Sequence, residues 1–187
     1  MRRLSVSLSL GLMGQGAGGK EMQETIHLQP LGWQYQVRND LILNYQLSLE
    51  QCLFNRRYLL ISSFLSGRLG TLSNKVSGGF TLMTGLFSDP YTGKTPDRKF
   101  QIYLYTNSLL SLVGYDATLQ GGLFNRNSPY VIPSGVLERI VFQNNAGIVL
   151  RCGTVYLEYF QSMLTKEFCG GEPHRWGRNS AGRIFLD

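Results

Sequence analysis

The sequence predicts an all-β fold: an antiparallel transmembrane β-barrel, with about eight strands in this chain. Three observations lead there. Apolar residues recur at every second position over several stretches of the length a strand needs to cross a bilayer. The composition is poor in charge and rich in glycine and aromatics. The connections between strands also alternate between long and short. With 187 residues the chain suffices for one domain, taken as 1–187.

Taken in order, the first element is ambiguous. Met1-Arg2-Arg3, then LSVSLSLGLM and GQGAGG, has the charged, apolar and small-residue regions of a secretory signal. Against this, Leu4, Val6, Leu8 and Leu10 alternate strictly with Ser5, Ser7, Ser9 and Gly11, and signal segments are more continuously apolar. The alternation favours a strand. In 40–50, Leu41, Leu43, Tyr45, Leu47 and Leu49 share one face, opposite Ile42, Asn44, Gln46, Ser48 and Glu50. Weaker strand signals follow at 57–66, 74–84 and 99–113. In 138–150, Ile140, Phe142, Ala146, Ile148 and Leu150 oppose Arg139, Gln143, Asn145 and Gly147. In 154–164, Val155, Leu157, Tyr159 and Met163 alternate with Tyr156, Glu158, Phe160 and Ser162. A last strand falls at 179–186. No run of 18 or more apolar residues offers a spanning helix.

Only 16% of residues are charged, against about 25% in a typical soluble domain. Glycine contributes 22 residues and aromatics 12%, with ten Tyr and ten Phe, which suits barrel bends and the water–lipid boundary. The net charge of +6 reads either as a solvated surface or as attraction to an anionic partner, a lipid headgroup or a nucleic acid. No compact Lys/Arg tract is interleaved with stacking aromatics, which argues against nucleic acid. Cys52, Cys152 and Cys169 are odd in number and lack metal-ligand spacing, against both a disulfide framework and a zinc site.

Periodicity alone does not separate a barrel from a β-sandwich with one wet face. Loop lengths do so better. Placing both barrel termini on the periplasmic side puts 13–38, 67–73, 114–136 and 165–178 outside the cell. The connections at 51–56, 85–98 and 151–153 then lie inside. Two connections break the rule: 85–98 is long for an inner turn and 67–73 short for an outer loop.

Candidate chemistry is sparse. His27 lies in the first long connection, where Lys20 to Leu28 contains neither Gly nor Pro and favours a short helix. On that helix Gln23 precedes His27 by four residues and Glu24 by three, so all share a face. A His oriented by an amide or carboxylate is the arrangement of a general base; from spacing alone, a surface loop His without a role is the plainer reading. His174, with Pro173, Arg175 and Trp176, suggests an ordered outer loop in which Trp176 anchors at the interface and Arg175 meets a phosphate; incidental loop charges are the plainer reading. Asn39-Asp40 has the look of a metal-ligand pair but reads more simply as turn residues. Asp89 sits in a Ser-Asp-Pro turn. Neither a G-x-S-x-G elbow nor a phosphate-cradling loop is present.

The stretch SLSLGLMGQGAGGKEMQETIH, the following GW and the strand after Asn39 together resemble the lipid A 3′-O-deacylase family of outer-membrane barrels. The tail agrees: DATLQGGLFNRNSPYVIP, then LERIVFQNNAGIVLRCGTVYLEYFQSMLTKEF, then Arg183-Ile184-Phe185. The resemblance implies a twelve-stranded family barrel, of which this chain matches the C-terminal two-thirds. It implies an outer-membrane protein that hydrolyses the 3′-linked acyloxyacyl ester of lipid A in lipopolysaccharide, with Ca2+. The family's Q-x-x-x-H element falls on Gln23 and His27, making His27 the base that activates water. Its Asn-Asp pair, Thr or Ser, and Lys have no match here, because Asn39-Asp40 follows the His element. The chain alone is therefore expected to be impaired, with its calcium ligands lying outside it. A non-catalytic barrel, scaffold or lipid-binding, is the alternative.

Overall fold

The computed structural model describes residues 1–17, 37–91 and 99–183. They form one eight-stranded sheet: β1 (Arg2–Met13), β2 (Asp40–Arg56), β3 (Leu59–Gly70), β4 (Ser73–Leu86), β5 (Phe100–Asp116), β6 (Ile140–Cys152), β7 (Val155–Leu164) and β8 (His174–Arg183). Each strand pairs antiparallel with its neighbour in sequence, so the sheet is a simple up-and-down meander. Among the described residues β1 and β8 each pair on one side only, and the sheet is not closed.

Residues directly opposite in an antiparallel pair point to the same face, so the register fixes both faces. Leu4 faces Leu49, Ser66 faces Ser48, Ser77 faces Ser111, and Asn107 faces Asn145. One face therefore collects Leu, Val and Phe, and the other collects Ser, Asn and Gln. Burial is inverted relative to a soluble protein. Leu10 is 76% exposed and Phe80 60%, whereas Asn44 is 5% and Ser62 1%. A large exposed apolar band of this kind belongs against another apolar phase, which is lipid for a barrel. The polar face satisfies itself. Arg68 Nε and Nη2 donate to Gln46 Oε1 at 2.9 and 2.6 Å. Ser77 and Ser111 hydroxyls meet at 2.8 Å, and Ser162 Oγ donates to Asn145 Oδ1 at 2.7 Å. A cavity of about 440 Å³ touches Arg3, Gln46, Phe64, Ser77 and Asn107 on five successive strands, so this face is concave.

The connections divide by end. At one end lie 14–39, 71–72, 117–139 and 165–173; at the other lie 57–58, 87–99 and 153–154. The two exceptions to the length rule have local causes. The turn at Thr71-Leu72 is tight because Thr71 Oγ1 accepts from Leu43 N and donates to Leu41 O, at 2.9 and 2.7 Å. The first residues of the long connection after β4, Phe87 to Tyr91, fold back onto the concave face. Phe87 and Tyr91 pack on Leu60 there, with Cys52, Met83 and Tyr103 around them. Burying Phe87 stabilises by roughly 1.5–3 kcal/mol. Tyr91 donates to Glu50 Oε1 at 2.6 Å, and Arg3 lies 5.5 Å over the Tyr91 ring. Burial and the Glu50 carboxylate push the Tyr91 phenol up to about 12.

Strand ends required correction. β2 runs to Arg56, through the segment expected to be the 51–56 connection. A bulge between Cys52 and Phe54 shifts the phase there and hides the alternation. The expected loop 67–73 is mostly strand. β8 begins at His174, five residues before the expected start.

Candidate functional site

The end that carries the long connections is where the described side chains interlock. β1 leaves at Gly14, whose φ of 93° is open to glycine and strained for other residues. A Cβ on Gly14 would lie 2.7 Å from Val37 O, so the two ends of the 14–39 connection touch at this point. After it, the 3-10 turn Gln15–Ala17 offers Gly16 N to Asn39 Oδ1 at 2.6 Å. Gln23, Glu24 and His27 lie outside the described residues. The segment that bears them is nonetheless held at both ends.

The second anchor is Asp40, the first residue of β2 and only 6% exposed. Its Oδ1 accepts from Leu41 N at 2.8 Å, and its Oδ2 from Phe124 N at 2.9 Å and Asn125 N at 3.3 Å. A buried carboxylate holding several backbone amides is a strong local tether. Gly122 abuts Asp40 Oδ2 so closely that any Cβ would collide with it. Asn125 Nδ2 donates to Asn39 O at 3.2 Å, and Arg38 N to Ser128 Oγ at 3.2 Å. The connection after β5 is thereby stitched to the start of β2, a coupling across 84 residues.

That connection begins with one helical turn, α1 (Ala117–Gln120), capped by Asp116, whose side chain accepts from Thr118 N at 2.9 Å. It ends against the 165–173 connection. Leu137 and Phe168 form an isolated antiparallel bridge, and Cys169 N donates to Val136 O at 2.7 Å. Lys166 Nζ meets Glu138 Oε1 at 2.8 Å. Burial pushes the Glu167 carboxyl up, Asp116 adds to this, and His174 and Lys75 oppose it.

Between these anchors lies an open groove of about 550 Å³. Leu12, Leu41 and Phe124 give it an apolar side, and Asn39, Asn125, Arg126 and Asn127 a polar one. Leu12 and Leu41 are partners on the apolar face of the sheet, so the groove opens where that face meets the long connections. Arg126 Nε donates to Leu123 O at 3.5 Å. Among the described residues its Nη groups meet no acceptor. Such a groove suits an amphiphile with an anionic head. Sequence reading missed it; the Gly, Asn, Ser and Pro of GGLFNRNSPY mark an ordered turn-rich loop and nothing more.

Other candidates resolve as structure. Asn39 and Asp40 are loop anchors, with both Asp40 oxygens engaged by backbone amides. Asp89 Oδ1 accepts from Tyr91 N at 2.8 Å and Oδ2 from Asn55 Nδ2 at 2.7 Å, holding the start of the connection after β4 against the end of β2. His174, Arg175 and Trp176 do not form an outer loop. They open β8, and Trp176 lies opposite Ser162 on the concave face, so it is no lipid-interface anchor. The three cysteines are free thiols.

A meander whose apolar face is exposed and whose polar face is concave is an outer-membrane β-barrel wall. Comparison with known proteins gives the family. The family model described as "Outer membrane protein LpxR" matches residues 1–185. The chain belongs to the LpxR family and is an outer-membrane protein. Among solved structures it is similar to LpxR from Salmonella typhimurium, with a TM-score of 0.77 and 17% identity. The match covers 98% of this chain and 68% of that one. No curated protein matches.

Proposed function

We propose that the protein acts on lipid A at the outer leaflet, hydrolysing its 3′-linked acyloxyacyl ester, with lipopolysaccharide as the natural substrate. Membership of the LpxR family over residues 1–185 is the observation that carries this reading. The geometry is compatible with it. The ends of the segment bearing Gln23 and His27 are tied beside a groove with an apolar wall and the Arg126 guanidinium. Acyl chains suit the Leu12 and Leu41 side and a phosphorylated sugar suits Arg126.

His27 is proposed as the general base, with Gln23 orienting its ring. His27 takes a proton from water as the water oxygen bonds to the ester carbonyl carbon. The tetrahedral intermediate then releases the sugar oxygen, which recovers the proton from His27. The products are a free acyloxyacyl acid and a 3′-hydroxyl.

Ca2+, expected from the resemblance, finds no donor set in the described residues. Asp40 is engaged by three backbone amides, and no three His, Cys, Asp or Glu converge. No step is written through the ion, and dependence on it is tested directly. Purified protein in mixed micelles with lipid A should release a 3′-linked acyloxyacyl acid, detected by mass spectrometry. His27→Ala should lower the rate by about 10²–10⁴-fold, and adding a chelator reads whether turnover depends on the ion. Lipid A bound without acyl release would replace this reading with that of a non-catalytic lipid-binding barrel.

A further inference from the structure

The apolar face is not uniform. On β1–β4 it carries mostly large apolar side chains at mid-strand, Leu8, Leu47, Leu65 and Phe80, with the single hydroxyl of Ser63 beside Phe80 and no amide. On β5–β7 the same face at mid-strand carries Thr106, Ser108, Asn144 and Gln161. Register places them there. Leu104 and Leu110 flank the two β5 hydroxyls on this face, Asn144 lies opposite Ser108, and Gln161 lies opposite Ala146, itself the partner of Thr106.

These groups satisfy one another only in part. Asn144 Oδ1 accepts from Thr106 Oγ1 at 3.0 Å and Ser108 Oγ at 2.9 Å, and Gln161 Nε2 donates to Tyr159 Oη at 2.6 Å. Among the described residues the Asn144 Nδ2 donors and the Gln161 carbonyl reach no partner. Hydrocarbon offers none either, so these groups call for a polar surface beside them. Small residues adjoin them, Ala146 in the same row and Gly177 opposite Gln161, and permit close approach. Next to the strip a groove of about 440 Å³ is cut into the otherwise convex face, lined by Ile102, Ile148, Leu150, Leu157 and Ala181.

We infer that the face of β5–β8 directed at lipid is an interface within the bilayer, occupied by the same face of a second copy of this chain. The choice of occupant follows from orientation. Copies inserted the same way are related by a two-fold axis along the membrane normal, which brings equal depths together. The amide strip then meets the amide strip, and the apolar groove meets apolar surface. Asn and Gln both donate and accept, so one pair across the axis serves both copies. A partner of another sequence would need its own polar strip at the same depth.

Sedimentation equilibrium of the full protein in a density-matched detergent tests this, with Asn144→Leu/Gln161→Leu as the variant. The wild type should sediment as a dimer, and the variant should dissociate with a constant raised at least about tenfold. Heat-modifiable electrophoretic mobility reports whether the variant still folds. Leu47→Ala, on the other wall, should leave the dimer intact. A wild type that stays monomeric at all concentrations overturns the inference. So does a folded double variant that dimerises as tightly as the wild type, or a Leu47→Ala variant that dissociates.

Discussion

The two halves of the sheet share a topology and differ in what they show the membrane. β1–β4 present a mainly apolar band, broken by Ser63 beside Phe80, in which Leu8, Leu65 and Phe80 are 64%, 56% and 60% exposed. β5–β8 interrupt that band with amides and hydroxyls. The concave faces differ less: both carry Ser, Asn and Gln bonded across strands. The solvent around a barrel wall tolerates apolar groups freely and polar groups only when they are partnered. A wall that departs from this rule therefore marks where its surroundings are not lipid.

The sharpest test of the contrast is charge at mid-depth. Leu47→Arg should destabilise by about 2–4 kcal/mol, the cost of Arg on a lipid face near the midplane. Gln161→Arg, set among Asn144, Thr106 and the Tyr159 hydroxyl, should lose less than half as much. Urea unfolding from lipid vesicles measures both, and equal losses would erase the distinction between the walls.

The halves are coupled where Asp40 on β2 grips the connection after β5. Asp40→Ala strands the amides of Leu41, Phe124 and Asn125, at about 1–3 kcal/mol for each one left buried and unpaired. Hydrogen exchange at Phe124 and Asn125 should accelerate while the mid-strand amides of both walls keep their protection. Loss of protection throughout β1–β4 would mean that the tether supports the wall as well as the loop.

The smallest expected effect lies within the second half. Burial raises the folded-state pKa of Glu167 above its unfolded value, so the protonated form is the one folding favours. Its contribution is fully present below the unfolded pKa and is lost as pH rises through the folded one. Glu167→Gln should therefore raise Tm near pH 7 and leave it unchanged in acid. A Tm difference that does not vary with pH would show that burial of this carboxyl is not its cause.

Much of the architecture was legible. Alternation in Leu4 to Leu10 and in Leu41 to Leu49 marked β1 and β2, because one face meets apolar surroundings and the other does not. The end of β2 was illegible, because the bulge at Leu53 changes the phase in mid-strand. β8 was misplaced because its residues on the apolar side, Gly177, Asn179 and Ala181, carry no apolar signal. Asn144 also escaped notice, standing on a face where only apolar residues were counted. Gln23 and His27, which the sequence marked through a family pattern, lie outside the described residues. The Asp40 tether was hidden because its partners, the Phe124 and Asn125 amides, lie 84 and 85 residues away.

By itself the sequence determined the strands, their order and which side chains share a face, because a period of two is local and needs no partner to be read. It also held the family pattern that places the protein in the outer membrane. Only the tertiary structure decided which face is concave, where the long connections anchor, and that Phe87 and Tyr91 after β4 pack back onto Leu60. Those depend on contacts between residues far apart in sequence, and no local pattern records them.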